Sequence, residues 1–272
     1  MADGLKQAAF DHPIFEPIRP WLARLGDGWP PLELLNGFAV ERKLANARGL
    51  PLRFVAPDLL ESANYELRVH DTGAVATRPE NWHDLLNALA WLAFPRTKAA
   101  INALHAEHLL REGARRGRVR DALTLFDEGG ALVAVSDASL EALAREHRWR
   151  ELFWERRSAV LESMRFAVPG HAVLEHALEP YPGITCRALF VPVESRLLTE
   201  PAHALFERLD AAAAAWFAAP PPGLTPLLLP PLPVFGYPGW LEGSCREAFY
   251  ADQRYFRPLR TDSARTGRTN GA

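Results

Sequence analysis

A polar stripe at helical spacing is the first feature of this sequence that could do chemistry. In the segment 81–93, His83, Asn87 and Trp91 follow one another at intervals of four residues, with Asp84 alongside. Residues four apart lie next to each other on one face of a helix. The spacing therefore predicts a helix with a polar face and, on its other side, an apolar face.

A second polar stripe follows at once. Pro95 ends the first helix near Phe94 and can start the next one, which the pattern extends to about residue 113. Lys98, Asn102 and His105 share a face of this second helix. If the chain folds back at the proline, the two stripes meet in a pocket where a histidine serves as base or ligand. The alternative is a polar network that only fixes the helix pair, or a solvated face.

Two further pairs have side chains that suit a metal ion. Asp127 and Glu128 are adjacent carboxylates in a predicted hairpin turn, although acidic residues are also common in ordinary turns. His171 and Glu175 stand four apart on a helix predicted to open at Gly170. Imidazole with carboxylate is a ligand set for zinc, iron or manganese, but the same spacing also gives a plain hydrogen bond along a helix.

Composition and missing motifs exclude several classes of function. The formal net charge is −2 and the pI is near 6.5, so no global positive field favours nucleic acid. A run of arginines could bind RNA, but a predicted helix C-terminus explains it better; the run is Arg111, Arg115, Arg116, Arg118 and Arg120. No nucleophile elbow, phosphate loop or dinucleotide fingerprint occurs.

The compartment expected from the sequence is the cytoplasm. The first fifteen residues lack the apolar run of a signal peptide. Every apolar stretch is shorter than the roughly 20 residues that a membrane helix needs. With only Cys186 and Cys245, we expect reduced, packed thiols.

The elements predict an α+β fold, mostly helical, with β-hairpins forming a small mixed or antiparallel sheet. One hairpin is expected from 65–69 and 74–77, and another from 123–126 and 131–135. We expect a single domain over 1–258 and a disordered tail over 259–272. A proline-rich strap covers 218–240 within that domain.

These motifs together resemble an uncharacterised proteobacterial family, domain of unknown function 3025. The resemblance rests on Asn81-Trp82-His83-Asp84, Asn87-Ala88-Leu89, Phe94-Pro95 with Lys98, Asn102 and His105, Arg120-Asp121, Phe126-Asp127-Glu128, Gly170-His171-Ala172, Pro238-Gly239-Trp240 and Phe256-Arg257-Pro258. It implies a bacterial protein. It implies no activity, cofactor or substrate.

The leading hypothesis is an enzyme, a metal-assisted or histidine-based hydrolase acting on a small molecule, with a divalent metal as the cofactor that these side chains could hold. A histidine would activate water and Lys98 would steady developing negative charge. The catalytic candidates are His83, Asp84, Asn87, Lys98, Asn102 and His105. The metal candidates are His171, Glu175, Asp127 and Glu128. The alternative is a non-catalytic module that binds a ligand or a partner protein.

Overall fold

The structure, a computed structural model, describes residues 10–57, 64–113 and 117–259. Within these residues helices dominate and the strands are short, so the predicted α+β class is confirmed. The α-helices are α1 (Arg19–Leu22), α2 (Leu32–Glu41), α3 (Tyr65–Thr72), α4 (Trp82–Ala93), α5 (Pro95–Glu112), α6 (Arg118–Gly129), α7 (Ala138–Arg145), α8 (Arg157–Ser163), α9 (His171–His176), α10 (Ala202–Ala218) and α11 (Glu247–Tyr250).

Six strands form two sheets in the part of the chain that the structure describes. They are β1 (Arg53–Val55), β2 (Ala74–Ala76), β3 (Gly130–Val135), β4 (Met164–Ala167), β5 (Thr185–Pro192) and β6 (Pro231–Pro233). The larger sheet has the order β4-β3-β5-β6, in which β3 and β5 are parallel and the outer pairs are antiparallel. The small sheet pairs β1 with β2 in parallel.

Strand β3 lies at the centre of the molecule because both of its faces are covered. Ala131, Val133 and Val135 point into one apolar core, whereas Leu132 and Ala134 point into a second core lined by helices α5, α6 and α10. Alternate residues of a strand face opposite sides of a sheet. A continuous apolar run is the pattern of a strand buried on both faces, and 130–135 is such a run.

Both predicted hairpins are wrong. Residues 65–72 form helix α3, capped by the side chain of Asn64, and the supposed turn at Gly73 is the left-handed residue that ends the helix. Residues 118–129 form helix α6, which passes directly into β3. Asp127 and Glu128 therefore lie in the last turn of a helix and not in a hairpin turn. Local glycine and acidic signals are shared by turns and helix ends, so the sequence did not separate them.

The two helices joined at Pro95 do exist with nearly the predicted bounds. The first amides of α5 have no cap within the helix; instead, the Asp210 carboxylate of α10 accepts hydrogen bonds from the backbone N–H of Arg96 (3.1 Å) and of Thr97 (2.8 Å). An oxygen from another helix thus supplies the cap. This contact fixes α10 against α5 across the second core.

The remaining predictions have mixed outcomes. Both cysteines are free, but only Cys186 is buried, so the expectation of two packed thiols is wrong for Cys245. The proline strap contributes β6 to the edge of the main sheet. Across the described ranges, none of the helices combines the length and the apolar character that a bilayer crossing requires. The tail expected at 259–272 lies outside the described residues from 260 onward.

The arginine run is divided between two helices. Arg111 closes α5 and pairs with Glu107 at 2.7 Å, while Arg118 and Arg120 stand in the first turn of α6. The assignment of the whole run to one helix C-terminus is therefore wrong. Its other two members, at 115 and 116, lie outside the described residues.

Candidate metal centre

Three helices meet where the candidate site lies. Helix α9 packs on both α4 and α6. This packing places His83 in the first turn of α4, Glu128 in the last turn of α6 and His171 at the first position of α9. The side chain of Asn81 caps α4 by accepting from the Asp84 amide at 3.0 Å, which sets where the helix begins.

Glycine allows the backbone of α9 to approach the end of α6. A Cβ on Gly170 would lie 2.5 Å from the Gly130 nitrogen and 2.8 Å from the Glu128 carbonyl oxygen. A side chain at this position would push the two segments apart. The close contact brings the next residue, His171, against the carbonyl of Asp127.

Two imidazoles and one carboxylate converge in the space between the helices. The Nε2 atoms of His83 and His171 lie 3.1 Å apart. The Oε2 atom of Glu128 lies 3.3 Å from the His171 Nε2 and 3.7 Å from the His83 Nε2. We call these three residues the His–His–Glu cluster.

The other ring nitrogen of each histidine, Nδ1, already has a hydrogen-bond partner. His171 Nδ1 lies 2.9 Å from the backbone oxygen of Asp127, which can only accept, so Nδ1 carries the proton. His83 Nδ1 lies 3.0 Å from the Glu175 carboxylate and likewise donates to it. In the neutral rings, both Nε2 atoms therefore present lone pairs.

Three electron-pair donors thus face one another at short range, an arrangement that needs a cation or a proton between them. Burial, helped by the charge of Lys98, lowers the pKa of His171 to about 3, so this ring stays neutral near neutral pH. Metal–nitrogen bonds of about 2.0–2.1 Å place neighbouring ligand atoms roughly 3.0–3.4 Å apart. Two of the three distances in the cluster fall in that range, and the third involves the half-exposed Glu128.

Hydrogen bonds to the Nδ1 atoms are the usual second layer of a metal site. A carboxylate or carbonyl on the far side of a ligating histidine holds the ring in place and makes the nitrogen more basic. Glu175 serves His83 in this way and the Asp127 carbonyl serves His171. His171 and Glu175 were predicted to act as a pair, but the histidine that Glu175 contacts is His83.

A buried ion pair stands beside the cluster. Lys98 is 3% exposed, and its Nζ donates to Asp127 Oδ1 at 2.6 Å and to Asn87 Oδ1 at 2.9 Å. Burial would raise the pKa of the Asp127 carboxyl, but the charge of Lys98 and its hydrogen bond outweigh it and hold that pKa low. The two polar stripes do meet, since Lys98 and Asn87 come from different helices.

A cavity of about 360 Å³ opens onto the cluster. It is lined by Pro57, Tyr65, Glu66, Ala76, Arg78, His83, Asp84, Asn87, Thr124, Asp127, Glu128 and His171. Of these described side chains, four are carboxylic acids and only Arg78 is a fixed cation. Such a lining favours a bound cation over an anion.

Glu66 is the lining residue with the most altered acidity. Burial and the nearby charge of Asp127 raise its pKa to about 7, despite a hydrogen bond of 2.7 Å from Asn102 Nδ2 to its carboxylate. A carboxyl with this pKa can give or take a proton near neutral pH. Asn102 thus positions Glu66 by two bonds, the second to the Glu66 backbone oxygen at 2.9 Å.

Asp84 is held at the rim by Arg78. Its carboxylate accepts from the Arg78 backbone N–H at 2.7 Å and from two guanidinium nitrogens, each at 2.8 Å. Burial pushes the pKa of Asp84 upward, but these bonds and the guanidinium charge hold it below its ordinary value. Asp84 is therefore a fixed anion, and Glu175, not Asp84, orients His83.

The structure gathers most of the predicted residues but not all of them. His83, Asp84, Asn87, Asp127, Glu128 and His171 line the cavity. Lys98, Asn102 and Glu175 contact lining residues from behind. His105 is buried and does not line the cavity; its Nε2 lies 3.3 Å from the Thr124 hydroxyl.

Sequence reasoning missed Tyr65, Glu66 and Arg78. The first two were assigned to a strand, and the actual signal was the helix cap at Asn64, whose side chain accepts from the Glu66 amide at 3.0 Å. Nothing in the sequence pattern connects Arg78 with Asp84, because they lie on either side of the helix start.

The fold and the cluster define an α+β protein with a two-histidine, one-carboxylate centre in an acidic cavity. The chain belongs to the DUF3025 family, described as a protein of unknown function, whose model matches residues 52–260. The match includes every residue of the His–His–Glu cluster and confirms the family resemblance. No curated protein and no solved structure matches the chain significantly.

Proposed function

We propose that this protein binds a divalent transition metal through His83, Glu128 and His171 and uses it to hydrolyse a small molecule in the adjoining cavity. One observation carries the proposal: three lone-pair atoms converge within 3.7 Å, while both Nδ1 atoms are held by acceptors. Three protein ligands leave coordination positions open to water, which is the pattern of catalytic metal sites.

The chemistry follows from the ligand set. A divalent metal held by these three residues would lower the pKa of a bound water to about 7, which would supply a nucleophile near neutral pH. Zinc and iron(II) both suit two histidines with one carboxylate. Glu66, which lines the same cavity, would exchange protons with the water or the leaving group.

For Lys98 we propose a positioning role in place of the stabilisation of negative charge expected from the sequence. Both its hydrogen bonds go to protein side chains, and it is not among the residues that line the cavity. We therefore assign it to positioning Asp127, whose carbonyl in turn holds His171. Developing negative charge would be balanced by the metal.

The acidic lining supports a neutral or cationic small molecule as substrate and argues against nucleic acid. The same proposal places the protein in a bacterial cytoplasm, on the family resemblance and on its two free cysteines.

Elemental analysis of protein purified without chelators tests the metal site. We expect about one equivalent of metal per chain in the wild type, since the described residues contain one such ligand cluster. The His83→Ala variant should lose it, whereas His203→Ala, which changes an exposed histidine elsewhere, should keep it. Wild-type protein that neither contains metal nor melts at a higher temperature with added zinc, iron(II) or manganese would refute the site.

Hydrolysis is tested separately. A screen of chromogenic esters, amides and phosphates should reveal turnover that a chelator abolishes and that metal restores. Stoichiometric metal without turnover would instead favour the alternative, a metal-dependent protein that binds a ligand without transforming it.

A further inference from the structure

A second, larger cavity lies away from the metal centre. Its volume is about 690 Å³, and it shares no lining residue with the first cavity. It is formed by the start of β5, by β6 of the proline strap, by the segment after α7 and by the last described residues of the chain. The proposed hydrolysis makes no use of it.

The charge of this cavity has one sign. Among the described residues, four arginines line it and no carboxylate does. Two of the four are neutralised by neighbours: Arg145 pairs with Glu141 at 2.7 Å, and Arg254 pairs with Asp252 at 2.6 Å. The other two guanidinium groups leave the described lining with a net positive charge, which attracts anions.

The other two arginines, Arg187 and Arg257, have no carboxylate partner among the described residues. Arg187 is half-buried on β5, and its guanidinium makes a long 3.4 Å contact to the Leu229 carbonyl. Arg257 bonds a backbone oxygen through its Nε, at 3.1 Å. Withdrawing a cation from water without an anionic partner is costly, so an anion at Arg187 would relieve that cost.

Most of the rest of the lining consists of prolines and ring side chains. Prolines 230, 231 and 233 form part of it, together with Tyr255 and a stacked pair of rings, His147 on Trp149, with centroids 5.0 Å apart. His147 has a φ of 56°, in the left-handed region that residues other than glycine seldom adopt. The faces of such rings suit a planar group.

We infer that this cavity binds a small organic anion in which a planar apolar group carries a phosphate or carboxylate that pairs with Arg187 and Arg257. The fork of a guanidinium matches both acidic groups in a bidentate manner. The charge of residues 260–272 does not suit them as the ligand of this arginine-lined cavity, because they contain three arginines and one aspartate.

Calorimetric titration of the full-length protein tests this site with four probes. Phenyl phosphate and benzene-1,3-dicarboxylate carry both features, inorganic phosphate lacks the ring, and benzyl alcohol lacks the charge. We expect saturable binding of at least one of the first two, weakened by added salt, and binding of the last two that is weaker by about tenfold or more. Which of the first two binds tells whether the natural group is a phosphate or a carboxylate.

Variants decide where the probe binds. Arg187→Gln and Arg257→Gln should each weaken binding by about tenfold, which is equivalent to ~1.4 kcal/mol. The exposed Arg208→Gln on α10 is the matched control, and His83→Ala at the metal centre should bind as the wild type does. Arg257 is exposed, so its variant remains informative if the Arg187 variant is unstable.

Two outcomes overturn the inference. One is the absence of saturable binding by both phenyl phosphate and benzene-1,3-dicarboxylate. The other is binding that His83→Ala abolishes while the folded Arg257→Gln variant retains it, because the probe would then occupy the metal centre.

Discussion

Replacing Glu66 by glutamine should change how the stability of this protein depends on pH. The pKa of Glu66 is raised from 4.5 to about 7 in the folded chain, mainly by burial. The folded state therefore holds a proton that the unfolded state has lost between those pH values. The stability contributed by this group is fully present below about pH 4.5 and is lost as the pH rises to about 7.

The size of the effect follows from the two values. Each pH unit is equivalent to about 1.4 kcal/mol for one proton, so Glu66 costs the folded protein about 3 kcal/mol by pH 7. Glutamine has the same shape and cannot ionise. We expect Glu66→Gln to gain about 3 kcal/mol relative to the wild type between pH 4.5 and pH 8.

Urea denaturation of chelator-treated protein at a series of pH values measures this difference. Comparison with the wild type cancels His171, whose lowered pKa makes both proteins less stable as the pH falls from 6.5 towards about 3. Glu33→Gln, on an exposed face of α2, is the control. A constant difference between Glu66→Gln and wild type across the series would show that the buried-carboxyl argument is wrong.

Three further substitutions test the residues that support the site, two by denaturant unfolding and the third by metal affinity. Lys98→Met leaves Asp127 buried without its partner and should cost about 3–5 kcal/mol, and adding Asp127→Leu to it should recover part of the loss. Asp210→Ala removes the cap on α5 and should cost about 1–2 kcal/mol without altering metal content; an unchanged midpoint would contradict this. Gly170→Ala should displace His171 and weaken metal binding by about 10–100-fold, so an unaltered affinity would show that the close approach is not needed.

The cluster also indicates how metal affinity should respond to pH. Protons compete with a metal for the Nε2 lone pairs, and bound metal requires both rings to be neutral. Burial already keeps the His171 ring neutral. Burial and the charge of Asp127 raise the pKa of Glu128, so protonation of this ligand's carboxyl competes with the metal as the pH falls. We expect metal affinity to fall as the pH drops, and His83→Ala to remove binding at every pH. Affinity independent of pH down to about pH 5 would contradict the ligand assignment.

The two helices joined at Pro95 could be predicted because their signals are local. The apolar period and the proline gave the bounds of α4 and α5 almost to the residue. The structure at the two expected hairpins could not be predicted, because a glycine after acidic residues marks either a turn or the end of a helix. Contacts between residues distant in sequence decide between a turn and a helix end. Gly130 is extended because it continues into β3, which pairs with β5.

What the sequence determined by itself was the α+β class and the face of α4 from which His83 and Asn87 project, since spacing along one helix fixes both. Only the tertiary structure decided that His83 meets His171, 88 residues away, and that Glu175 supports the one and not the other. The physical reason is that these distances depend on how three helices pack, through a glycine contact at Gly170 and a buried Lys98–Asp127 pair. No periodicity within a single segment contains that information.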